Sequence, residues 1–282
     1  MKISGIFVYP IKSLGGIPLE TALVERRGLQ FDRRYLLVDE KNGFLTQREF
    51  PKMATIGVSL SETGLTATAA GFESLSIPFE TDGADRVSVR IWKSVCDALV
   101  LGREVNQWFG AVLETDCRLV FMPDDSERQI NARFNQGDEL VSFADGYPLL
   151  LIGEGSLEDL NGRLEEKLPM NRFRPNLVVE GSEPFAEDRW KNVRIGQTVF
   201  RLTKPCARCV ITTIDQGLGE TAGKEPLRTL SQYRMARDVF PDSLEDLDLE
   251  KTAVLFGENL VPENPGHFLK LGDQVEVLDS KA

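Results

Sequence analysis

The chain has 282 residues, 41% hydrophobic and 27% charged, with a formal net charge of -11. That length buries a core unaided, and so acidic a balance excludes nonspecific nucleic-acid binding, which needs a basic surface to neutralise phosphate. No apolar run approaches a membrane span, the N-terminus lacks the pattern of a signal peptide, and four cysteines do not make a disulfide scaffold, so a soluble protein of a reducing cytoplasm is expected.

In chain order, Ile3 to Val8 is apolar and β-prone and turns at Tyr9-Pro10. Arg34 to Asp39 predicts a strand closed by the turn Lys41-Asn42-Gly43. Ile56 to Leu60 and Leu65 to Ala69 flank Glu62-Thr63-Gly64 and predict a hairpin; Arg86 to Trp92 alternates, with Val87, Val89 and Ile91 on one face. Glu104 to Val112 is a short helix candidate. The polar, turn-rich Pro123-Asp124-Asp125-Ser126 marks a boundary, giving domains over 1–122 and 123–282. Ser156 is placed to cap a helix over Leu157 to Leu164, with Asp159 as the capping-box acid. Val199 to Leu202 and Val275 to Leu278 predict strands, and Pro226 suits the first position of a helix through Tyr233. Many short strands with scattered helices predict a mainly β fold, a barrel core with α/β decoration.

The chemistry concentrates in Lys204-Pro205-Cys206-Ala207-Arg208-Cys209, followed by the β-branched run Val210-Ile211-Thr212-Thr213-Ile214-Asp215. Thiolates are soft metal ligands, and neighbouring cations lower a thiol's pKa, so this segment is suited to hold an ionised sulfur at the start of a strand. The pair is open to being half a zinc site, a redox pair, one ligand beside a bystander, or two core cysteines. Cys96 and Cys117 are isolated and His267 is the single histidine, which disfavours a closed zinc site. In Tyr9-Pro10-Ile11-Lys12-Ser13-Leu14-Gly15-Gly16, a lysine and a hydroxyl suited to an anion sit beside glycines that allow close backbone approach. Asp32-Arg33-Arg34 and Asn171-Arg172-Phe173-Arg174-Pro175-Asn176 add guanidinium groups that match phosphate, and an asparagine suited to a heterocycle's amide edge. Each segment alone also reads as an ordinary solvated turn.

Taken together and in order, Tyr9-Pro-Ile-Lys-Ser13, Asp32-Arg33, Asn171-Arg-Phe-Arg-Pro-Asn176, Cys206-Ala-Arg-Cys209 with Thr212-Thr-Ile-Asp215, and Glu263-Asn-Pro-Gly266 resemble the MOSC proteins, named for the C-terminal domain of molybdenum cofactor sulfurase. The first part resembles the β-barrel-like domain that precedes MOSC in many members. The likeness is greatest to the mitochondrial amidoxime-reducing components and to bacterial reductases of N-hydroxylated bases. The resemblance implies a MOSC β-barrel plus an N-terminal MOSC β-barrel-like domain, with a molybdenum cofactor (molybdenum-molybdopterin) between them. It implies Cys209 as the metal ligand, with Arg208 keeping its sulfur ionised and Cys206 as a neighbour. Lys12, Ser13, Arg33, Arg174, Asn176, Ala207 and Arg208 fall on its cofactor contacts. Asp145 falls in a pterin-facing segment, where it would supply a proton; relatives carry small hydroxyl residues where this chain has Gly146 and Tyr147. As family attributes it also brings a part in detoxification and pyridoxal phosphate binding. The implied activity is reduction of small N-hydroxylated substrates. Because no cysteine follows Cys209, no iron-sulfur cluster is expected here, and electrons would come from a separate ferredoxin- or cytochrome b5-type protein. The alternative is a carrier of cofactor or sulfur with Cys209 as the sulfur-bearing residue.

Overall fold

A computed structural model of the protein describes residues 1–79 and 83–281, so Glu80, Thr81, Asp82 and Ala282 lie outside it. The molecule is mostly β. Its largest sheet has eight strands in the spatial order Ile17–Pro18, Lys2–Val8, Leu177–Glu180, Leu149–Gly153, Val254–Pro262, Thr198–Arg208, Trp190–Ile195, Val275–Ser280. Leu149–Gly153 and Leu177–Glu180 run parallel, so a crossover must join them. The other pairs are antiparallel. Ile3, Ile6, Val8, Leu151, Leu177, Val179, Phe200 and Leu260 bury one continuous core against this sheet.

A four-stranded sheet of Tyr35–Val38, Arg118–Phe121, Ser94–Val100 and Arg86–Ile91 and a three-stranded sheet of Gly57–Leu60, Gly64–Thr68 and Leu75–Pro78 form the other body. Helix α1, Arg103–Leu113, closes its core with Val105, Phe109, Val112 and Leu113. Strands from the start of the chain pair with strands far along it. Lys2–Val8 pairs with Leu177–Glu180, and Thr21–Glu25 pairs with Phe268–Lys270. The first strands of the chain therefore complete sheets built from its second half.

The predicted hairpin forms with Leu60 opposite Leu65, turned at Gly64, and the strands predicted near residues 3–8, 34–39, 86–92, 199–202 and 275–278 are all present. Two helices differ. Helix α2 runs Glu154–Asn161 and contains Ser156. The Ser156 hydroxyl donates to Glu187 Oε1 at 2.7 Å and accepts the Phe185 N–H at 2.8 Å, so it holds a tertiary contact, not a cap. Asp159 pairs with Arg163 at 2.8 Å. The helix stops short of Leu164 because the Asn161 amide both donates to the Leu168 carbonyl and accepts the Leu168 N–H, at 3.0 and 2.8 Å. Pro226 precedes a single turn, α3, Leu227–Leu230; a further turn, α4, spans Ala236–Val239.

The strand expected after Cys209 lies before it instead. Thr198–Arg208 is the strand, and Val210–Thr213 is one turn of 3-10 helix. The Thr212 and Thr213 hydroxyls donate to the carbonyls of Cys209 and Val210 at 2.9 and 2.8 Å. Such local bonds compete with a sheet ladder, and here they override the β preference of the run. Among the described residues, no helix is long and apolar enough to cross a membrane.

Candidate functional site

The residues singled out in the sequence, Lys12, Ser13, Arg33, Asp145, Arg174, Asn176, Ala207, Arg208 and Cys209, line one cavity. A larger open depression along α1 mixes Glu40, Glu114 and Asp116 with Arg103 and Arg118 and gathers none of them.

The Lys2–Val8 strand delivers the first pair. Beyond it Ile11 and Leu14 are fully buried and fix the turn, leaving Lys12 and Ser13 between them at the cavity. Ser13 (φ 70°), Arg33 (φ 50°) and Arg174 (φ 54°) all hold left-handed backbone. This conformation costs energy in residues with a Cβ and clusters where a site is built.

Asp32, buried, accepts the Tyr9 N–H at 2.8 Å and an Arg33 N–H at 2.5 Å. The Arg33 and Arg174 guanidiniums both stack on the Tyr9 ring, 4.5 and 4.3 Å from its centroid. Burial raises the Tyr9 phenol to about 12 and pushes Arg174 down to about 10. Arg174 also donates to the Leu14 carbonyl at 2.7 Å and to Gln216 Oε1 at 3.2 Å. Asn176 ties three segments: its Oδ1 accepts from Arg33 (3.1 Å) and the Leu150 N–H (3.2 Å), and its Nδ2 donates to the Phe7 carbonyl (3.1 Å). Both Oδ1 lone pairs are engaged, which leaves one N–H for any ligand.

At the mouth, Lys12 Nζ meets Asp145 Oδ1 at 2.5 Å, the Trp92 indole N–H donates to the same oxygen at 3.3 Å, and Arg48 stands 3.7 Å from Oδ2. Burial pushes Lys12 down to about 8, against the pull of Asp145. Partial desolvation would raise the Asp145 carboxyl, but Lys12, Arg48 and Trp92 outweigh it and hold it well below the usual carboxylate range, with its side chain 56% exposed.

The cysteines divide their cations differently from the sequence expectation. Arg208 donates to Cys206 Sγ at 3.1 Å and to the Phe173 carbonyl at 2.6 Å. Arg48 is the residue that donates to Cys209 Sγ, at 3.2 Å. Burial raises the Cys206 thiol, partly offset by Arg208. Arg48 went unnoticed because Thr46-Gln47-Arg48-Glu49 has no motif and no periodicity. The Thr212–Asp215 stretch is a clamp: Asp215 accepts from Arg172 at 3.0 Å and from the N–H groups of Gly217 and Leu218, while Gln216 and Gln47 bond through their amides. Glu263-Asn264-Pro265-Gly266 is scaffold. Glu263 pairs with Arg201 at 2.7 Å, and Asn264 Oδ1 accepts the Val199 N–H at 2.6 Å.

Lys12, Arg33, Arg48, Arg174 and Arg208 thus converge on one cavity, opposed by Asp145 and Asp32, in a protein of net charge -11. The donor set suits an anion held beside a soft metal. Arg208 Nε and the Tyr147 hydroxyl, both of residues lining the cavity, are buried without a protein partner. Among the described residues no cluster of three or more His, Cys, Asp or Glu side chains is placed to hold a metal ion. Any metal at Cys209 would therefore take its other ligands from a bound group, and the residues present fit a phosphorylated, metal-bearing cofactor.

Comparisons with known proteins identify the family. Residues 1–116 match the MOSC N-terminal beta barrel domain, and residues 138–276 match the MOSC domain. The chain is 33% identical to mitochondrial amidoxime-reducing component 1 of Mus musculus and to that of Homo sapiens, over 98% of this chain and 82% of each relative. It is 33% identical to mitochondrial amidoxime reducing component 2 of Bos taurus, over 97% of this chain and 82% of that one. With both domain models matched and similarity along nearly its whole length, the chain belongs to the MOSC family, among the members that carry the N-terminal MOSC domain.

Proposed function

We propose that this chain is a molybdenum-cofactor-dependent reductase of small N-hydroxylated compounds. The observation that carries the reading is the Cys209 thiol on the wall of a cavity lined by Lys12, Arg33, Arg48, Arg174 and Arg208. The names of the amidoxime-reducing relatives support it. Arg33, Arg174 and Arg208 bind the anionic end of the cofactor with Ser13, Asn176 and the Ala207 backbone beside them, and Cys209 is the metal ligand. When bound, the molybdenum-pterin group supplies the two-electron redox couple that the net conversion of an N-hydroxy compound, two electrons and two protons to amine and water requires.

The chain's own part is to bind, orient and hold protons. Of the Lys12–Asp145 pair, Lys12 carries the exchangeable proton near neutral pH, and Asp145 is the ionised partner that positions it. This moves the proton-holding role from the carboxyl, where the sequence placed it, to the amine. Electrons come from a separate ferredoxin- or cytochrome b5-type protein. The free cysteines at 96, 117, 206 and 209 fit a reducing compartment such as the cytoplasm.

The test is metal and pterin content after expression in a host that makes the cofactor. Wild type is expected to hold close to one molybdenum and one pterin per chain, and Cys209→Ala to lose the metal while unfolding normally. A folded wild-type protein with neither metal nor pterin overturns the reading.

A further inference from the structure

Two glutamine amides close a hydrogen-bonded ring beside the cavity. Gln47, fully buried, donates from Nε2 to the Ser13 carbonyl at 2.7 Å and to Gln216 Oε1 at 3.2 Å. Gln216 Nε2 returns a bond to Gln47 Oε1 at 3.1 Å and reaches the Ile214 carbonyl at 3.3 Å. Gln216 Oε1 also accepts from Arg174 at 3.2 Å, and Arg174 donates onward to the Leu14 carbonyl at 2.7 Å. The ring joins four segments that meet only through the fold: the Ser13-Leu14 turn, the loop at Gln47, the turn after Ile214–Asp215, and Arg174. Both amide N–H bonds of each glutamine have acceptors, and Gln216 Oε1 has both lone pairs engaged. A network satisfied in this way holds its members rigidly.

Two of the residues it holds are strained. Ser13 (φ 70°) and Arg174 (φ 54°) have left-handed backbone, and both line the cavity. Such a conformation persists only where the surroundings over-determine it. Charge sets Arg174 apart as well. Lys12 and Arg48 face Asp145, and Arg33 faces Asp32. Among the described residues Arg174 forms no ion pair; its acceptors are a carboxamide and a carbonyl. A neutral acceptor orients a guanidinium and leaves its charge for a ligand, whereas a carboxylate orients it and cancels that charge. Neighbouring Arg172 gives the contrast: it pairs with Asp215 at 3.0 Å and takes no part in the cavity lining.

Resting on the reductase reading above for the identity of the anion, we propose that Gln47 and Gln216 are positioning residues for cofactor binding. Together they hold the Ser13 turn and Arg174 to the cavity. Gln216 does so as a neutral partner, which leaves the Arg174 charge to the anionic end of the cofactor. Neither glutamine lines the cavity, so each acts through a residue that does.

The experiment follows release of the pterin from cofactor-loaded protein, by fluorescence of the freed pterin, beside the unfolding midpoint of each variant. Gln216→Glu keeps acceptors for Gln47 and Arg174 but adds a charge; Gln216→Met removes the bonds and adds none. Release is expected to be at least about tenfold faster in Gln216→Glu, where the Arg174 charge is cancelled. It is expected to be about threefold faster in Gln216→Met, where only the aim of Arg174 is lost. A Gln216→Glu protein that folds but never loads is the extreme of the same result. Gln47→Met is expected to match Gln216→Met, and the double variant to be no worse than either, because the pair acts as one unit. Should Gln47→Met fail to fold, the Gln216 variants, at a half-buried position, decide. Release at the wild-type rate in both Gln216 variants overturns the proposal. So does release no faster in Gln216→Glu than in Gln216→Met, the order that a merely structural pair gives. In either case the pterin held by wild type leaves the reductase reading standing. A folded wild type without pterin overturns that reading and this proposal with it.

Discussion

Lys12 shows how one side chain's surroundings set its chemistry. Burial disfavours its ammonium form and brings it down to about 8, from an ordinary 10.5. Above about 8 the folded state has given up a proton that the unfolded chain keeps until about 10.5. By linkage, stability therefore rises with pH across that window. Denaturant unfolding of the cofactor-free protein from pH 7.5 to 10.5 is expected to show that rise in wild type and to lose it in Lys12→Met. Glu258 works in the opposite direction. It is wholly buried, and desolvation lifts its carboxyl well above 4.5 despite the Lys281 ammonium 2.9 Å away. Its folded form keeps a proton that the unfolded chain releases, so stability is lost as pH rises from about 4.5 through the raised value. Glu258→Gln is expected to flatten that decline in a pH series of unfolding midpoints.

At the scale of elements, side-chain hydrogen bonds decide what residue preference leaves open. Ser156 satisfies buried Glu187 from inside α2. Ser156→Ala is expected to cost about 1–3 kcal/mol, because buried Glu187 Oε1 keeps only the Gly153 N–H and the Phe185 N–H loses its acceptor; chemical denaturation measures it. Thr212→Val removes the bond to the Cys209 carbonyl and is expected to cost about 1 kcal/mol, read from the same denaturation curves. Strands with alternating or turn-bounded patterns were legible, as Arg86–Ile91 and the hairpin at Gly64 show. The errors have a common physical source. Ser156 and the two threonines carry local sequence cues for a cap and a strand, and their side-chain bonds, tertiary for Ser156 and to the preceding turn for the threonines, decide their structure instead. The candidate site was legible where several polar residues share one short segment, as in Lys12-Ser13 or Arg174-Pro-Asn176. It was illegible at Arg48 and Trp92, which stand alone in sequence and meet Asp145 and Cys209 only through the fold.

At the scale of the molecule, the two bodies do not separate cleanly, because Lys2–Val8 lies inside the sheet of the C-terminal body. A fragment of residues 123–282 lacks that strand and the burial supplied by Ile3, Ile6 and Val8. It is expected to give no cooperative thermal transition by circular dichroism alone, and to regain one when residues 1–30 are co-expressed. The site follows the same logic. Lys12 and Ser13 come from the chain that leaves this strand, Arg174 and Asn176 from just before its partner strand, so one pairing brings these four residues to the same cavity.

That pairing also sets a timetable for synthesis. Lys2–Val8 leaves the ribosome well before its partner Leu177–Glu180, which follows about 170 residues later. At roughly 5–20 residues per second the apolar strand waits about 10–30 s with the edge that faces that partner unpaired. During that interval the nascent chain offers a free sheet edge to other chains. A cell that slows elongation early in this message, or that lacks chaperones acting on the emerging chain, is expected to lose more of the protein to aggregates than its final stability would suggest.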